Sequence, residues 1–307
     1  MLPDISYLIL NYNPAGESMA RDVLADTLAA FYERKSRNLR AEVFLFDQGS
    51  PDFHQAWLLE RQKQYGFSLI LLNRNIGISR ALNLFVRMCK SPVVALITAD
   101  VVITTGMDED LYEIVQIPEV YQATPYTDKS DLEYQIWHPG GEYGADHPNL
   151  EGLKKARGSI LRRFFGSAEQ RYLRYIGAEF NVMFWRRSIF ERVGYFDESW
   201  KAAYENNDFS LRCFLAGGCT ALSLGSFVWH FHKVTEKNRS REQTYEGYVD
   251  NWREEMKRRW DDKWTRIEDY IDIYKPLGKK TIADFPELSA RFQGNIYLPF
   301  EQPIGYD

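Results

Sequence analysis

Residues 92–100 read PVVALITAD, and this stretch gives the clearest indication of the fold. It is a short apolar run that stops at Thr98, Ala99 and Asp100. Such a run is typical of a strand that is buried on both faces, as in a parallel sheet covered by helices. We therefore predict a strand over residues 92–97 that is followed by polar residues at its carboxyl end.

Three further apolar runs precede this strand, and segments with helical spacing separate them. The predicted strands cover residues 5–10, 42–46 and 68–72, and the predicted helices cover residues 18–36, 52–65 and 78–89. Strands that alternate with helices favour a mostly parallel sheet with helices on both faces. The predicted fold class is therefore α/β and Rossmann-like.

Polar side chains stand at the end of each predicted strand. In chain order they are Asn11 and Asn13, Asp47, Asn73 and Asn75, and Asp100. Ligands of such sheets bind outside the carboxyl ends of the strands. One polar residue after a strand is ordinary loop composition, but four strand ends in a row indicate a binding edge.

The second half of the chain is less regular. Glycine and proline are frequent in residues 126–150, which predicts a long loop. Residues 151–175 hold seven Lys and Arg against two Glu, so they favour either contact with an anionic ligand or a solvated helix face. Apolar residues return at 180–185, a helix follows residue 208, and a strand is predicted over residues 220–229.

Composition excludes several classes of function. With 38 Lys and Arg against 43 Asp and Glu, the net charge of −5 argues against a general nucleic-acid binder. No apolar run reaches the ~18 residues of a membrane span, and no basic leader is visible. The three cysteines form no C-x-x-C pair, which fits a reducing compartment. We predict a cytoplasmic protein.

Residues 241–274 predict a long charged helix with an aromatic stripe at helical spacing. Packing of this stripe on the core is the favoured interpretation. Peripheral contact with a membrane surface or with a partner helix is the alternative, and an oligomer formed through the same aromatic surface is left open.

Seven segments, taken in order, resemble the motifs of glycosyltransferase family 2. They are residues 8–13 (LILNYN), 47–50 (DQGS), 73–83 (NRNIGISRALN), 98–100 (TAD), 194–198 (GYFDE), 205–212 (ENNDFSLR) and 228–230 (VWH). The resemblance implies a GT-A fold over residues 1–235. Residues 236–307 match no part of the family, and the helical pattern within them predicts a C-terminal helical extension packed on the core. It also implies inverting transfer of a sugar from a UDP- or dTDP-type donor to a hydroxyl of a glycan or another acceptor.

The same resemblance implies which residues hold the donor. Asp47 accepts a hydrogen bond from the base, Gly77 allows close backbone approach, and Arg80 reaches the diphosphate. The other implied donor-site residues are Asn11, Asn13, Asn73 and Ala99. The alternatives are that Asp47 is a turn residue, Gly77 a helix-start residue and Arg80 a solvated side chain.

A divalent cation, Mn²⁺ or Mg²⁺, is implied at Asp100 and His230. The family usually has Asp-x-Asp after this strand, whereas this chain has Thr98 in place of the first acid. One carboxylate together with substrate phosphates suffices for such an ion, and an imidazole would favour Mn²⁺. His232 is the alternative to His230.

The general base is implied within residues 205–208. The family's usual base position is Asn206 in this chain, which cannot take a proton. Asp208 is slightly preferred over Glu205 as the base, although Asp208 also suits a helix-start role. The loss of these acids motivates an alternative, a catalytically silent nucleotide-sugar-binding protein. A nucleotidyltransferase or a dehydrogenase is disfavoured, because no glycine-rich phosphate loop follows the first strand.

Overall fold

One sheet of nine strands runs through the described part of the chain. The computed structural model describes residues 2–140, 142–146, 148–165, 171–200, 205–231, 272–273 and 275–292, without the side chains of 159–165 and 290–292. His232 and the predicted helix over residues 241–274 lie outside these ranges, apart from residues 272 and 273. Within them, no helix combines the length and the apolar character needed to cross a bilayer.

The elements follow one another in α/β order. The strands are β1 (Ile5–Asn11), β2 (Ala41–Gln48), β3 (Ser68–Leu72), β4 (Val93–Thr98), β5 (Val101–Ile103), β6 (Val120–Thr127), β7 (Tyr172–Tyr175), β8 (Val182–Arg186) and β9 (Cys219–His230). The helices are α1 (Ser18–Arg34), α2 (Asp52–Tyr65), α3 (Ile78–Met88), α4 (Met107–Val115), α5 (Leu150–Phe165), α6 (Ile189–Val193), α7 (Glu205–Leu215) and α8 (Pro286–Phe292). Two short 3₁₀ helices cover Glu133–Gln135 and Ile282–Asp284.

The strand order is β3-β2-β1-β4-β8-β6-β9-β5, with β7 paired to β9. The first four strands pair in parallel. Strand β8 joins β4 in antiparallel register, with Ile97 opposite Val182. Strand β5 pairs antiparallel with the end of β9, with Val101 opposite His230. The carboxyl end of β4 therefore meets the start of β8 at the edge where β1, β2 and β3 also end.

Alternate residues of each central strand face two different apolar layers. In β1, Ile5 and Ile9 pack in the layer that contains Leu24 and Leu28 of α1. Leu8 points to the opposite layer, which contains Phe85 of α3. Burial on both faces explains why β1 and β4 are nearly continuous apolar runs.

The predictions for the first half of the chain are confirmed. Helix α2 and strand β3 have the predicted bounds, and the other elements differ by one or two residues at their ends. The α/β class with a mostly parallel central sheet is also confirmed. The three cysteines are free and buried, as expected from their spacing.

Strand β6 carried no apolar run and was not predicted. Its Gln122 is fully buried, yet both ends of its amide are bonded. The amide nitrogen donates to Ser210 and Thr220, and the oxygen accepts from Trp185 Nε1. These partners come from α7, β9 and β8, so the polar strand is stabilised by contacts that local sequence does not contain.

The described residues after 271 pack on the sheet. Ile273, Leu277 and Leu288 are buried in the α1 layer. The backbone of Leu277 donates to Arg174 O at 2.8 Å, and Gly177 donates to Ile273 O at 3.1 Å. These contacts tie the chain that follows β7 to the C-terminal segment.

Mutation can test the close approach of Gly49, after β2, to Arg74, after β3. Its φ is +82°, and a Cβ there would lie 2.9 Å from Arg74 Cα. We expect Gly49→Ala to lose about 1–2 kcal/mol from the left-handed backbone and about 1–3 kcal/mol more from the clash. Urea denaturation measures the total loss of unfolding free energy.

Gly106→Ala is the matched control. Gly106 has φ +80° with open space around it, so this variant should show only the backbone cost. Equal losses in both variants would contradict the close approach.

Candidate functional site

The candidate site lies at the edge where the parallel strands end. Because β3, β2, β1 and β4 are neighbours in this order, their last residues form one row. Asn73 is exposed at the end of β3, Asp47 follows in β2, and Asn11 in β1 lies opposite Asp47. The structure therefore brings the predicted polar residues of the four strand ends together.

Asp47 is fully buried and belongs to a local hydrogen-bond network. Its Oδ1 accepts from Asn11 Nδ2 at 2.7 Å, and its Oδ2 accepts from the Ser50 backbone at 3.1 Å. Asn11 Nδ2 also lies 3.2 Å from Nε2 of the buried His54. Burial lowers the pKa of His54, so its neutral ring accepts this bond. Asp47 and Asn11 thus shape the edge, and contact with a base remains a prediction.

Asn13 and Ala99 also have structural partners. Asn13 bonds the backbone of Glu17 in both directions, at 3.0 and 2.9 Å, which holds the loop before α1. The Ala99 carbonyl accepts from Thr27 Oγ1 of α1 at 3.0 Å. Both residues therefore fix helix α1 against the binding edge.

Gly77 and Arg80 begin helix α3. Gly77 has φ +84°, a conformation that favours glycine. The Arg80 guanidinium lies 3.2 Å from a Glu198 carboxylate oxygen, which is an ion pair that the sequence did not indicate. Asn83 donates to Phe196 O at 2.9 Å and accepts from the Phe196 backbone. Helix α3 thereby holds the 194–200 loop, and a diphosphate would have to share Arg80 with Glu198.

Asp100 and His230 meet at the same edge. Asp100 Oδ2 lies 3.4 Å from His230 Nε2. The pairing of β5 with β9 creates this contact, and the Phe231 backbone donates to Asp100 O at 2.9 Å. The structure therefore places the two predicted metal ligands side by side.

His230 is fixed by a second set of contacts. Its Nδ1 lies 3.0 Å from Lys129 O, and its backbone donates to Asp128 Oδ1 at 2.8 Å. Burial alone would lower the pKa of His230, but the Asp100 carboxylate and the charge of Glu179 raise it to about 9. Burial likewise opposes ionisation of Asp100, and the His230 contact outweighs it to give a lowered pKa. Because Nδ1 is directed at Lys129 O, Nε2 is the ring atom that faces Asp100, and a cation bound there would displace the Nε2 proton.

The acidic segment begins helix α7, and its two carboxylates differ in environment. Asp208 is completely buried against Arg212, with Nη2 and Oδ2 2.9 Å apart and each side chain 1% exposed. Arg212 also donates to Val193 O at 2.6 Å. Asp208, the residue that the sequence favoured as base, therefore balances the charge of a buried guanidinium.

Glu205 is buried without such a partner. One of its carboxylate oxygens, Oε2, has no hydrogen-bond partner among the described residues. Burial, helped by the charge of Asp208, raises the pKa of Glu205 to about 7. Its neighbour Asn206 donates to Ala178 O at 2.9 Å, which fixes the first turn of α7 against the 176–181 loop.

The basic stretch over residues 151–175 is largely engaged in structure where its side chains are described. Arg171 pairs with Asp110 at 3.0 Å, and Lys154 pairs with Glu151 at 3.1 Å. The Arg157 guanidinium donates to Ile136 O and lies 5.5 Å from the centre of the Tyr126 ring. These contacts favour the solvated-helix interpretation over an anion site.

Sequence reasoning missed an aromatic rim beside the Asp100–His230 pair. The Tyr143 ring lies 5.1 Å from the Trp229 ring and 4.9 Å from the Phe231 ring. It also missed Asp128, Glu179 and His54. Trp229 lies in the 228–230 segment, but Tyr143, Asp128, Glu179 and His54 belong to none of the seven segments, so no local signal could have located these four.

Comparisons with known proteins bear on this site. A family model described as glycosyl transferase family 2 matches residues 6–194. No curated protein sequence matches the chain significantly.

Three solved structures are similar in fold. GalNAc-T7 with UDP, GalNAc and Mn²⁺ has a TM-score of 0.63 at 15% identity, covering 95% of this chain and 55% of that one. The mannosyltransferase PcManGT from Pyrobaculum calidifontis with GDP-Man and Mn²⁺ has a TM-score of 0.53 at 15% identity, covering 97% and 71%. TarS 1–349 from S. aureus with UDP has a TM-score of 0.53 at 12% identity, covering 96% and 72%. The chain thus spans about half the length of the first. At these identities the likeness concerns the fold.

The Asp208–Arg212 pair generates a stability prediction. We expect Asp208→Ala to lose about 3–5 kcal/mol of unfolding free energy, because a buried guanidinium is left unpaired. Urea denaturation at neutral pH measures the loss. Glu151→Ala breaks an exposed pair of the same charge type, in which Glu151 is 87% exposed. It should cost less than about 1 kcal/mol. Similar small losses in both variants would contradict the structural role of Asp208.

Proposed function

This chain belongs to glycosyl transferase family 2, and we propose that it transfers a sugar from a nucleoside diphosphate sugar to an acceptor hydroxyl, with inversion at the anomeric carbon. The observation that carries the proposal is the 3.4 Å contact between Asp100 and His230 at the end of β4. It lies next to the strand ends where nucleotides bind in α/β sheets.

We propose a UDP- or dTDP-type donor. A carboxylate at Asp47 suits the N–H of a uracil or thymine ring. The fold neighbours GalNAc-T7 and TarS were solved with UDP, which supports this class, whereas PcManGT was solved with GDP-Man. The donor test below therefore includes guanine nucleotides.

The residues present fit a divalent cation. Asp100 offers a carboxylate oxygen, and the contact of His230 Nδ1 with Lys129 O directs Nε2 toward that carboxylate. A bound cation would replace the proton on Nε2, since metal ligands bind in their deprotonated form. Among the described residues no three His, Cys, Asp or Glu side chains are grouped to hold a metal, so substrate phosphates would complete the coordination. A bound Mn²⁺ or Mg²⁺ would stabilise the negative charge of the departing nucleoside diphosphate.

We propose Glu205 rather than Asp208 as the general base. A base must accept a proton near neutral pH, and the raised pKa of Glu205 suits this role. Asp208 is instead engaged by Arg212, whose Nε and Nη2 both donate to Asp208 Oδ2. In the proposed step, Glu205 takes the proton of the acceptor hydroxyl while the acceptor oxygen forms a bond to the anomeric carbon. The bond from that carbon to the diphosphate breaks, and the nucleoside diphosphate leaves without a covalent enzyme intermediate.

The alternative is a catalytically silent nucleotide-sugar-binding protein. Asn206 at the family's usual base position motivates it. The two possibilities share the donor site and differ in whether Glu205 activates an acceptor. Donor binding therefore tests the common part, and transfer or hydrolysis separates them.

Donor binding is the first prediction. Calorimetry with UDP, dTDP, GDP and CMP, each with and without Mn²⁺, should show metal-dependent binding of one uracil or thymine nucleotide. Asp100→Ala should weaken that binding at least about ten-fold, since it removes a metal ligand. Asp22→Ala removes a surface carboxylate that is 70% exposed and should bind like the wild type.

Two outcomes of this calorimetry would contradict the proposal. If none of the four nucleotides binds the wild type, the proposed transferase function is wrong. Equal binding with and without Mn²⁺, unchanged in Asp100→Ala, would contradict the role of Asp100 and His230 in holding a cation.

The base assignment predicts a mutational and a pH effect. Glu205→Gln should lower donor turnover about 10²–10⁴-fold and leave nucleotide affinity unchanged. In the wild type, kcat/KM should rise with pH through about 7, because Glu205 must lose its proton to act.

The raised pKa of Glu205 also affects stability. Its contribution to the free energy of unfolding is full below the pKa of Glu205 in the unfolded chain, and it is lost as the pH rises through about 7.

Asp208→Asn is the matched variant for this assignment. If it folds, binds nucleotide and loses turnover while Glu205→Gln remains active, Asp208 is the base and our assignment is wrong. If kcat/KM of Glu205→Gln still rises with pH through about 7, Glu205 is not the group that titrates, and our assignment is likewise wrong.

A further inference from the structure

A buried amide at the site edge has an unused hydrogen-bond donor. Asn181 is 1% exposed, and its Nδ2 has no hydrogen-bond partner among the described residues. Its Oδ1 accepts from the Val182 backbone at 2.7 Å, which fixes the amide so that Nδ2 points the other way. A buried donor left unpaired destabilises a folded protein, so its presence indicates a ligand that binds there.

Asn181 lies directly beside the motif at the end of β4. Its carbonyl accepts from the Thr98 backbone at 3.0 Å and from Thr98 Oγ1 at 3.2 Å. It immediately precedes β8, whose first residue is opposite Ile97. Thr98, the residue that replaces the family's first acid, thus anchors Asn181.

The order of the strands predicts which part of the donor lies near Asn181. Along the sheet edge, β2 carries Asp47, β1 carries Asn11, β4 leads to Asp100, and β8 begins after Asn181. Neighbouring strands lie about 4.8 Å apart, so this row extends stepwise in one direction. A nucleoside diphosphate sugar laid along it, with its base near Asp47 and its diphosphate near Asp100, brings its sugar to the start of β8.

The loop that ends at Asn181 also contacts helix α7, which carries the proposed base. Asn206 of α7 holds the 176–181 loop through Ala178 O at 2.9 Å. Glu205, the preceding residue, has a buried oxygen without a described partner. An unpaired donor and an unpaired acceptor therefore flank the same loop, and sugar hydroxyls can pair with both kinds of group.

We propose that Asn181 Nδ2 donates a hydrogen bond to a hydroxyl oxygen of the transferred sugar and so orients the sugar and selects it by the position of that hydroxyl. The proposal rests on the function proposed above and extends it from the nucleotide to the sugar. A site that hydrogen-bonds one hydroxyl discriminates against an analogue that lacks it, because the buried donor is again left unpaired.

Two variants test this role. Asn181→Asp keeps an oxygen for the Val182 backbone and loses the donor, whereas Asn181→Ala loses the donor without adding charge. The measured quantity is the ratio of the dissociation constant of the nucleoside diphosphate to that of its glucose, galactose or mannose conjugate. We expect both variants to lower this ratio about five- to ten-fold for the sugar that the wild type prefers. Asn38→Ala, an exposed residue before β2 at the opposite edge, should leave it unchanged.

A second measurement needs only folded wild-type protein. Single-deoxy analogues of the preferred conjugate, each lacking one hydroxyl, should include one that binds about five- to ten-fold more weakly. Asn181→Ala should bind that analogue as well as the parent conjugate. Equal binding of all the analogues by the wild type would overturn the proposal, even if no Asn181 variant folds.

The outcomes separate this inference from the proposed function. An unchanged ratio in both variants, with nucleotide bound, overturns only the role of Asn181. Failure of the wild type to bind any nucleoside diphosphate overturns the proposed function, and this inference falls with it.

Discussion

The pairing of β5 with β9 is the contact on which the candidate site depends. It sets Val101 opposite His230, and so brings the residue that follows β4 against the last residue of β9. Asp100 and His230 then lie 3.4 Å apart. The antiparallel register is what makes these two predicted metal ligands a pair. Two residues that follow β6 fix His230: the Lys129 carbonyl contacts Nδ1 of the ring, and Asp128 accepts from the His230 backbone.

Polar residues at the binding edge divide into those that build it and those that remain available. Asn13 and Asp208 are occupied by neighbouring groups. Glu205 and Asn181 are buried, and each keeps an atom that no described residue pairs. A fold tolerates such atoms where a ligand completes them, because the cost of desolvation is then recovered on binding. This difference, rather than residue type, distinguishes the proposed base from its neighbour three positions later.

Sequence patterns predicted the first half of the fold well and the second half only partly. Strands β1 to β4 are apolar runs because helices cover both faces, and that pattern is local. Strand β6 is fully buried but reads VYQATPYT, and its Gln122 is stabilised by Ser210, Thr220 and Trp185. Those partners lie more than 60 positions away in the chain, so no window of sequence could reveal them. The Arg80–Glu198 pair was missed for the same reason.

The sequence by itself determined the α/β class, the polar strand ends and the order of motifs that led to the family, because each is a local pattern of apolar and polar residues. Through the family resemblance it also predicted Asp100 and His230 as metal ligands. Only the tertiary structure decided how the side chains are used. It placed Arg212 against Asp208, left one buried oxygen of Glu205 without a partner among the described residues, and set Asn181 beside Thr98. The environment of an ionisable group arises from residues distant in the chain, so its chemistry becomes readable only when those residues are packed together.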